Sequence, residues 1–166
     1  MRRAVVAAGA LLAASCARVG PVSRPSGDGS SRTYEVAALR FDAPSTWSAE
    51  GNARAVKLAA PGGDALLEVK ATASRAPAAE CLAAAGEALE KGATSLSGVR
   101  RHPTTFAGRK AVAQEADQGG WHGWAWATCD GGEQYRVFLA GKSPVSRQTI
   151  DVQRQVVATA RLGGNP

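Results

Sequence analysis

The sequence predicts an α+β domain, in which a mainly antiparallel sheet of about six to seven strands packs with two helices. Three observations lead to this prediction. Segments that alternate in side-chain character are separated by short glycine-rich turns, which join neighbouring strands in antiparallel order. Two longer segments instead carry apolar residues at helical spacing. Without residues 1–15, the chain of 166 residues is still long enough for one domain with a substantial core.

The first sixteen residues have the pattern of a bacterial export signal. Arg2 and Arg3 precede an uncharged segment, Ala4 to Ser15, which is followed directly by Cys16. A positive start and a short apolar segment are typical of a signal peptide, whereas a membrane-spanning helix needs roughly 20 apolar residues. We therefore predict that residues 1–15 are a signal peptide that is removed on export.

The end of this segment, Leu12-Ala13-Ala14-Ser15-Cys16, resembles the lipobox of bacterial lipoproteins, although the leucine typical of that motif would stand at Ala13. The resemblance implies that Cys16 is acylated, with a fatty acid such as palmitate, and anchors the chain to a membrane of the bacterial cell envelope. Which membrane is left open. Two or more acyl chains make a lasting anchor. The alternative is ordinary signal-peptidase cleavage after Ala17.

Residues 16–32 are predicted to be the lipidated cysteine and a flexible tether, because they are rich in proline, serine and glycine and lack an apolar face. Residues 33–162 are predicted to form a single α+β domain, and residues 163–166 a disordered tail. Removing Arg2 and Arg3 leaves 18 basic against 14 acidic residues, a net charge of about +4. The basic residues are scattered among acidic ones, which argues against nucleic-acid binding.

The predicted domain opens with a strand and a tryptophan. Thr33 to Phe41 is expected to be one strand with a bulge near Ala38. The strand ends before Pro44. Trp47 is expected to cover the end of the sheet as a core residue rather than to bind a ligand.

A hairpin and a helix follow. Residues 53–60 and 65–71 alternate in hydrophobicity on either side of the turn Pro61-Gly62-Gly63-Asp64. From Pro77 to Lys91 the apolar period changes to that of a helix, and Gly92 provides its stop. Alanines dominate one face of this helix, which allows it to lie close to a sheet.

Four more strands and a second helix are predicted. Val99 to Asp117 should form a hairpin that turns at Ala107-Gly108-Arg109, and the segments 121–130 and 133–140 should follow as strands between glycine turns. Pro144 to Leu162 should form an amphipathic helix. It is expected to be capped near Ser143 and ended by Gly163-Gly164.

The segment Leu39-Arg-Phe-Asp-Ala-Pro-Ser-Thr-Trp47 resembles the opening of PsbP-like domains, which are named for the extrinsic photosystem subunit. The later order of hairpin, helix, four-strand meander and C-terminal helix is similar too, so the resemblance covers residues 33–162. It implies an antiparallel sheet between helices. These domains have diverse and mostly non-catalytic roles, and the resemblance carries over no functional residues.

The chain has three cysteines, an odd number that leaves one of them without a disulfide partner within the chain. If Cys16 is acylated, Cys81 and Cys129 remain as a possible disulfide in an oxidising compartment. Cys129 falls on the same strand face as Ala125 and Ala127, where small side chains leave room for a helix. The first helix carries Cys81 near its start, so a helix on that face would bring the two sulfurs together. The alternative is two buried free thiols.

The sequence carries no recognisable catalytic or metal-binding motif. His102 and His122 stand twenty residues apart without partners at ligand spacing, and the Gly-x-Ser-x-Gly motif of many hydrolases does not occur. We therefore expect no metal, no cofactor and no enzymatic activity. The alternative is an exported envelope enzyme whose active site is assembled from distant residues.

Two surface features are candidates for binding. Three of the four tryptophans, Trp121, Trp124 and Trp126, lie within six residues. They indicate an aromatic-walled pocket for a small ligand or a patch for a partner. The alternative is core, because Trp124 and Trp126 share one strand face, and Trp121 is then the most exposed of the three.

The second feature is a group of basic residues around the hairpin at residues 99–117, which consists of Arg100, Arg101, His102, Arg109 and Lys110. These side chains either contact anionic lipid head groups or simply keep an edge strand in solvent. Taken together, the sequence predicts a membrane-anchored envelope lipoprotein with a non-catalytic domain that binds a protein partner or a small ligand.

Overall fold

The computed structural model describes residues 20–163, which form two antiparallel sheets and two helices. The predicted signal peptide, the predicted acylation site Cys16 and residues 164–166 of the predicted tail lie outside the described residues. Neither helix in this part of the chain has the length and hydropathy needed to cross a membrane.

The elements follow in chain order as β1 (Val22–Pro25), β2 (Ser31–Val36), β3 (Leu39–Pro44), β4 (Ser48–Asn52), β5 (Ala55–Ala59), β6 (Ala65–Ala73), α1 (Ala78–Gly92), β7 (Ser97–Phe106), β8 (Arg109–Gln118), β9 (Trp121–Asp130), β10 (Glu133–Lys142), α2 (Arg147–Thr159) and β11 (Arg161–Leu162). The smaller sheet has the strand order β1-β2-β3-β11. The larger sheet has the order β4-β5-β6-β10-β9-β8-β7. The predicted fold class is confirmed, with seven strands in the larger sheet.

The main core lies between the two sheets. In the central strands β6 and β10, alternate residues from Ala65 to Ala71 and from Tyr135 to Leu139 are buried and face the smaller sheet, as strand alternation requires. Two stacked aromatic pairs fill this layer, Tyr34 with Phe41 and Phe106 with Trp126. Helix α2 closes it from the side, because Val152 and Val156 belong to the same cluster. Trp47 is buried there too, as predicted.

Helix α1 packs on the opposite, outer face of the larger sheet, against β8 and β9. The contact is close because the residues that meet there are small. Ala85 of the helix is fully buried, and so is Ala127 of β9. Cys81 and Cys129 are joined by a disulfide, with their Cα atoms 6.2 Å apart. The molecule therefore has three layers. The larger sheet is the middle layer, with α1 on one side of it and the smaller sheet together with α2 on the other.

The prediction of one bulged strand over Thr33 to Phe41 is wrong, because this segment is the hairpin of β2 and β3. Its turn falls at Ala37, which has a φ of 52° although it is not a glycine. The Ala38 N–H donates to the hydroxyl oxygen of Tyr135 at 3.3 Å, which ties the turn to the larger sheet. Val36 and Leu39 are both buried although they are three residues apart, so the alternation of buried and exposed residues shifts by one position between them. A tight turn causes such a shift just as a bulge within one strand does.

The predicted tether is also partly wrong, because residues 22–25 and 31–32 belong to strands. Strand β1 pairs with β2 in the register Val22 to Glu35. Two further short strands, β4 and β11, were not predicted. All five residues of β4 are exposed, so it carries no apolar alternation, and β11 has only two residues.

Helix α2 is shorter than predicted at both ends. It begins after Ser146 rather than near Ser143, since the Ser146 hydroxyl accepts a hydrogen bond from the Thr149 N–H at 3.1 Å. It ends at Thr159, before Gly163, and Ala160 is already extended. The chain can then pair β11 with β3.

Candidate functional site

Helix α1 is too short to cover the outer face of the strand on which it lies. Its 15 residues span about 22 Å, whereas the 10 residues of β9 span about 33 Å. The disulfide holds the start of the helix at Cys129, near the end of β9. The helix therefore ends before it reaches Trp121 at the other end of the strand, and part of the sheet face stays uncovered.

A groove of about 420 Å³ occupies this uncovered area. Its volume falls within the range of small-molecule sites in proteins. The floor consists of small residues of the sheet, and larger apolar side chains form the walls. The lining residues are Leu66, Gly92, Leu96, Gln114, Ala116, Gln118, Trp121, Gly123, Ala125, Phe138 and Ala140.

Phe138 forms one wall and has no side chain beneath its ring. Phe138 pairs with Ala125 of β9, and the next residue on the same face of β9 is Gly123. A β-carbon at Gly123 would lie only 3.0 Å from Phe138 Cε2. Glycine therefore allows the ring to lie close to the sheet. Phe138 remains 41% exposed, which is unusual for a large apolar side chain within 20–163. Part of its ring surface is open to a bound molecule.

Gln114 is the buried polar residue of the groove, with only 6% of its surface exposed. Its Oε1 accepts hydrogen bonds from Arg101 Nε at 3.2 Å and from Arg101 Nη2 at 3.0 Å. Arg101 Nη1 in turn lies 3.3 Å from a carboxylate oxygen of Glu90 on α1. Among residues 20–163, no acceptor lies within hydrogen-bonding distance of Gln114 Nε2.

A second polar group lies at the mouth of the groove. Gln118 Nε2 donates to the Ser95 hydroxyl at 3.1 Å and so connects β8 to the loop after α1. This loop also carries Leu96, one of the apolar walls. The groove is thus enclosed by a helix end, a loop and four strands, β6, β8, β9 and β10.

A smaller cavity of about 260 Å³ continues the groove along α1, since both are lined by Ala125 and Phe138. Arg136 and Lys70 line this cavity, and they face each other directly across β10 and β6. In the described part of the chain, neither cation lies within salt-bridge distance of a carboxylate. Glu68 is the acidic residue of the same cavity.

The three clustered tryptophans do not form one patch. Trp121 lines the groove, and Lys142 Nζ lies 5.8 Å from the centre of its ring. Trp126 faces the opposite way into the core, where it stacks on Phe106. Trp124 shares that inner face and contacts His122 edge-on at 4.5 Å. Strand alternation separates Trp121 from the other two.

The basic residues around the hairpin of β7 and β8 are mostly engaged within the protein. Arg100 Nη2 lies 2.7 Å from Glu115, and Arg109 Nε lies 2.6 Å from Asp130. Arg101 contacts Glu90, as described above. These pairs leave fewer free cations for lipid head groups than the sequence indicates.

The two histidines do not converge. His122 Nδ1 lies 2.8 Å from Asp117 Oδ1, and His102 is exposed on β7. Over residues 20–163 there is no group of three or more histidine, cysteine, aspartate or glutamate side chains that could hold a metal ion.

Sequence reasoning missed most of the groove. Gln114, Phe138, Leu66 and Leu96 were not singled out, because they lie on three separate strands and a loop. One signal was available, since Gln114 is a buried polar residue that stands between Val112 and Ala116 on the face of β8 toward α1. Its meaning depends on where α1 ends, which the sequence pattern places only approximately.

No family model matches the chain, and no curated protein matches it significantly. Its fold is similar to that of the cyanobacterial PsbP protein CyanoP from Synechocystis sp. PCC 6803, known from a solution structure. The TM-score is 0.55 at 13% identity, over 81% of this chain and 93% of that chain. The resemblance to PsbP-like domains is therefore confirmed for the fold.

A crystal structure of a protein from Bacteroides thetaiotaomicron is also similar, with a TM-score of 0.53 at 14% identity. The similarity covers 89% of this chain and 50% of that chain, so the chain spans about half the length of that protein. At these identities the two comparisons show a shared fold alone.

Proposed function

We propose that this protein is a lipoprotein of the bacterial cell envelope whose PsbP-like domain binds a small apolar ligand without catalysing a reaction. The observation that carries the proposal is the apolar groove beyond the end of α1. A groove with small residues as its floor and aromatic walls has the composition of a ligand site, since apolar contact supplies affinity and a few polar groups supply orientation.

The non-catalytic part of the proposal is supported by the lining of the groove. Its polar members are Gln114 and Gln118, whose amides neither ionise near neutral pH nor act as nucleophiles. General acid–base catalysis requires a group that exchanges protons, and covalent catalysis requires an activated nucleophile. Within 20–163, the lining of the 420 Å³ groove itself offers neither, and the ionisable side chains Glu68, Lys70 and Arg136 line only the adjoining smaller cavity.

The groove can be tested by filling it. Ala125 lines both parts of the groove, and Ala125→Leu would place a branched side chain in them. We expect the purified full-length chain to enhance the fluorescence of the neutral apolar dye N-phenyl-1-naphthylamine and Ala125→Leu to abolish this effect. Ala158→Leu makes the same change on an exposed position of α2 and should leave dye binding unchanged.

Circular dichroism must show that both variants are folded. Equal dye binding by Ala125→Leu and the unsubstituted chain would contradict the groove as the binding site. An unsubstituted chain that does not bind the dye would contradict the proposed function itself.

The proposed anchor rests on Cys16 and the uncharged segment before it. If Cys16 carries the acyl chains, Cys16→Ala should abolish incorporation of a radioactive fatty acid and leave a soluble or uncleaved protein. Cys81→Ala serves as the control, since Cys81 is part of the disulfide and should not affect labelling. Labelling of Cys16→Ala at the original level would contradict the anchor.

A further inference from the structure

The amide of Gln114 is arranged to donate a hydrogen bond into the groove. Its oxygen is already used twice by Arg101, while its nitrogen has no partner among the described residues. Trp47 Nε1 is the one fully occluded side-chain nitrogen or oxygen in 20–163 that lacks a partner, so Gln114 Nε2 retains access to the outside. Because Gln114 is otherwise buried and lines the groove, that access leads into the groove.

Arg101 makes this donor stronger. Its guanidinium binds Gln114 Oε1 through two nitrogens and is itself held by Glu90. A positively charged group that donates to the amide oxygen polarises the amide, so that its N–H becomes a better donor. The same contacts fix the orientation of the amide, because a flipped amide would direct its NH₂ group at Arg101.

The charges around the groove favour an anion. Arg136 and Lys70 lie directly opposite each other across the strands, an arrangement that destabilises a sheet unless an opposite charge is present. Glu68 neutralises one of these two charges at most. Lys142 adds a further cation above Trp121 at the other end. An anionic ligand would be attracted from either end of the groove.

We infer that the ligand is a single-chain fatty acid anion. Its hydrocarbon chain would lie between Trp121, Phe138 and the leucine walls, and a carboxylate oxygen would accept from Gln114 Nε2. The inference rests on the proposed function, since it names the ligand of the same groove. A carboxylate satisfies the unpaired donor and the net positive charge together, whereas a pure hydrocarbon satisfies neither.

The test is the isosteric substitution Gln114→Glu in the purified full-length chain, with dodecanoate as the probe. The new carboxylate still accepts from Arg101, but it has no N–H to donate and repels an anion. A hydrogen bond to a charged partner corresponds to a factor of about ten or more in affinity. We therefore expect calorimetry to show at least about ten-fold weaker dodecanoate binding. Gln148→Glu, on an exposed position of α2, adds the same charge and should leave binding unchanged.

Binding of N-phenyl-1-naphthylamine separates the two levels of the proposal. If Gln114→Glu binds the dye normally but binds dodecanoate weakly, the inference is supported. If it binds both normally, the inference is overturned while the proposed groove stands. Methyl dodecanoate that binds as tightly as dodecanoate would overturn the assignment of an anion. An unsubstituted chain that binds neither probe would overturn the proposed function along with the inference.

Discussion

The ring of Phe138 lies so close to the backbone of Gly123 that a β-carbon at Gly123 would be 3.0 Å from Phe138 Cε2 and 3.3 Å from Cζ. One wall of the groove thus depends on the absence of a side chain in the neighbouring strand. Phe138 is partly exposed, so a methyl group at Gly123 would displace its ring outward rather than into the core.

We predict that Gly123→Ala destabilises the protein by about 1 kcal/mol, because crowding the Phe138 ring costs about 1–3 kcal/mol and replacing a glycine within a strand returns about 0.5–1 kcal/mol. Gly86→Ala in α1 is the matched control, because a β-carbon there would lie an ordinary 3.7 Å from Val112. Since alanine favours helix by about 0.5–1 kcal/mol over glycine, Gly86→Ala should stabilise. Urea denaturation of both variants measures the difference.

A double substitution separates the contact from a general loss of strand stability. In the Phe138→Ala background the ring is gone, so Gly123→Ala should cost little or even stabilise. An equal cost in both backgrounds would contradict the assigned contact.

The disulfide between Cys81 and Cys129 should contribute about 4 kcal/mol, because it closes a loop over a sequence separation of 48 residues. We expect Cys81→Ser, Cys129→Ser and the double substitution to lower the melting temperature by similar amounts, since each removes the same bond. Peptide mapping of the exported protein without reduction should recover the joined peptides. Free thiols that alkylate in the native exported protein would contradict the pairing.

Trp47 should tolerate phenylalanine better than another buried tryptophan does. Its Nε1 is buried without a hydrogen-bond partner among residues 20–163, and an unpaired buried donor costs about 1–3 kcal/mol. Trp47→Phe removes this donor, which offsets part of the lost apolar contact. Trp126→Phe is the comparison, because Trp126 is also buried but its indole nitrogen does not combine full burial with the lack of a hydrogen-bond partner. A larger loss of unfolding free energy for Trp47→Phe would contradict the prediction.

Alkaline solution should destabilise the fold through its buried tyrosines. Burial raises the pKa of both Tyr34 and Tyr135 above the ordinary value of 10.0. The folded chain therefore keeps phenol protons that the unfolded chain has released. This contribution to stability is complete below about pH 10 and is lost as the pH rises through the folded-state pKa.

Urea denaturation from about pH 8 to pH 11 measures this loss. Tyr135→Phe removes one of the two phenols, so its unfolding free energy should fall less steeply across the same range. An equally steep fall in Tyr135→Phe would show that other groups, such as lysines, cause the alkaline loss.

The sequence predicted the regular parts of the fold well, because local patterns decide them. The limits of β9 follow from two glycine turns, at Gly119-Gly120 and Gly131-Gly132, and the structure gives the same limits. The hairpin of β2 and β3 was missed because its turn contains Ala37 in a conformation that usually indicates glycine. Strand β4 was missed because an edge strand exposed on both faces has no apolar pattern.

The groove was harder to predict than the fold for a different reason. It exists because α1 ends before β9 does, so it depends on two element lengths and on their relative position. Trp121 was singled out from its neighbours in sequence, but its partners Phe138 and Leu96 come from other elements. Local sequence patterns do not indicate which side chains of different strands and loops come into contact. These residues become neighbours only when the helix and the sheet have packed together.

The strand order β1-β2-β3-β11 places the first and last strands at the two edges of the smaller sheet. Both ends of the described chain therefore leave the domain from the layer opposite the groove. A chain attached to a surface by either end is therefore held through its smaller sheet, on the side of the larger sheet away from the groove. A fluorescent protein or affinity tag could be fused at the C-terminal end without approaching the groove, and the proposed anchor at Cys16 leaves that end as the place for such a label.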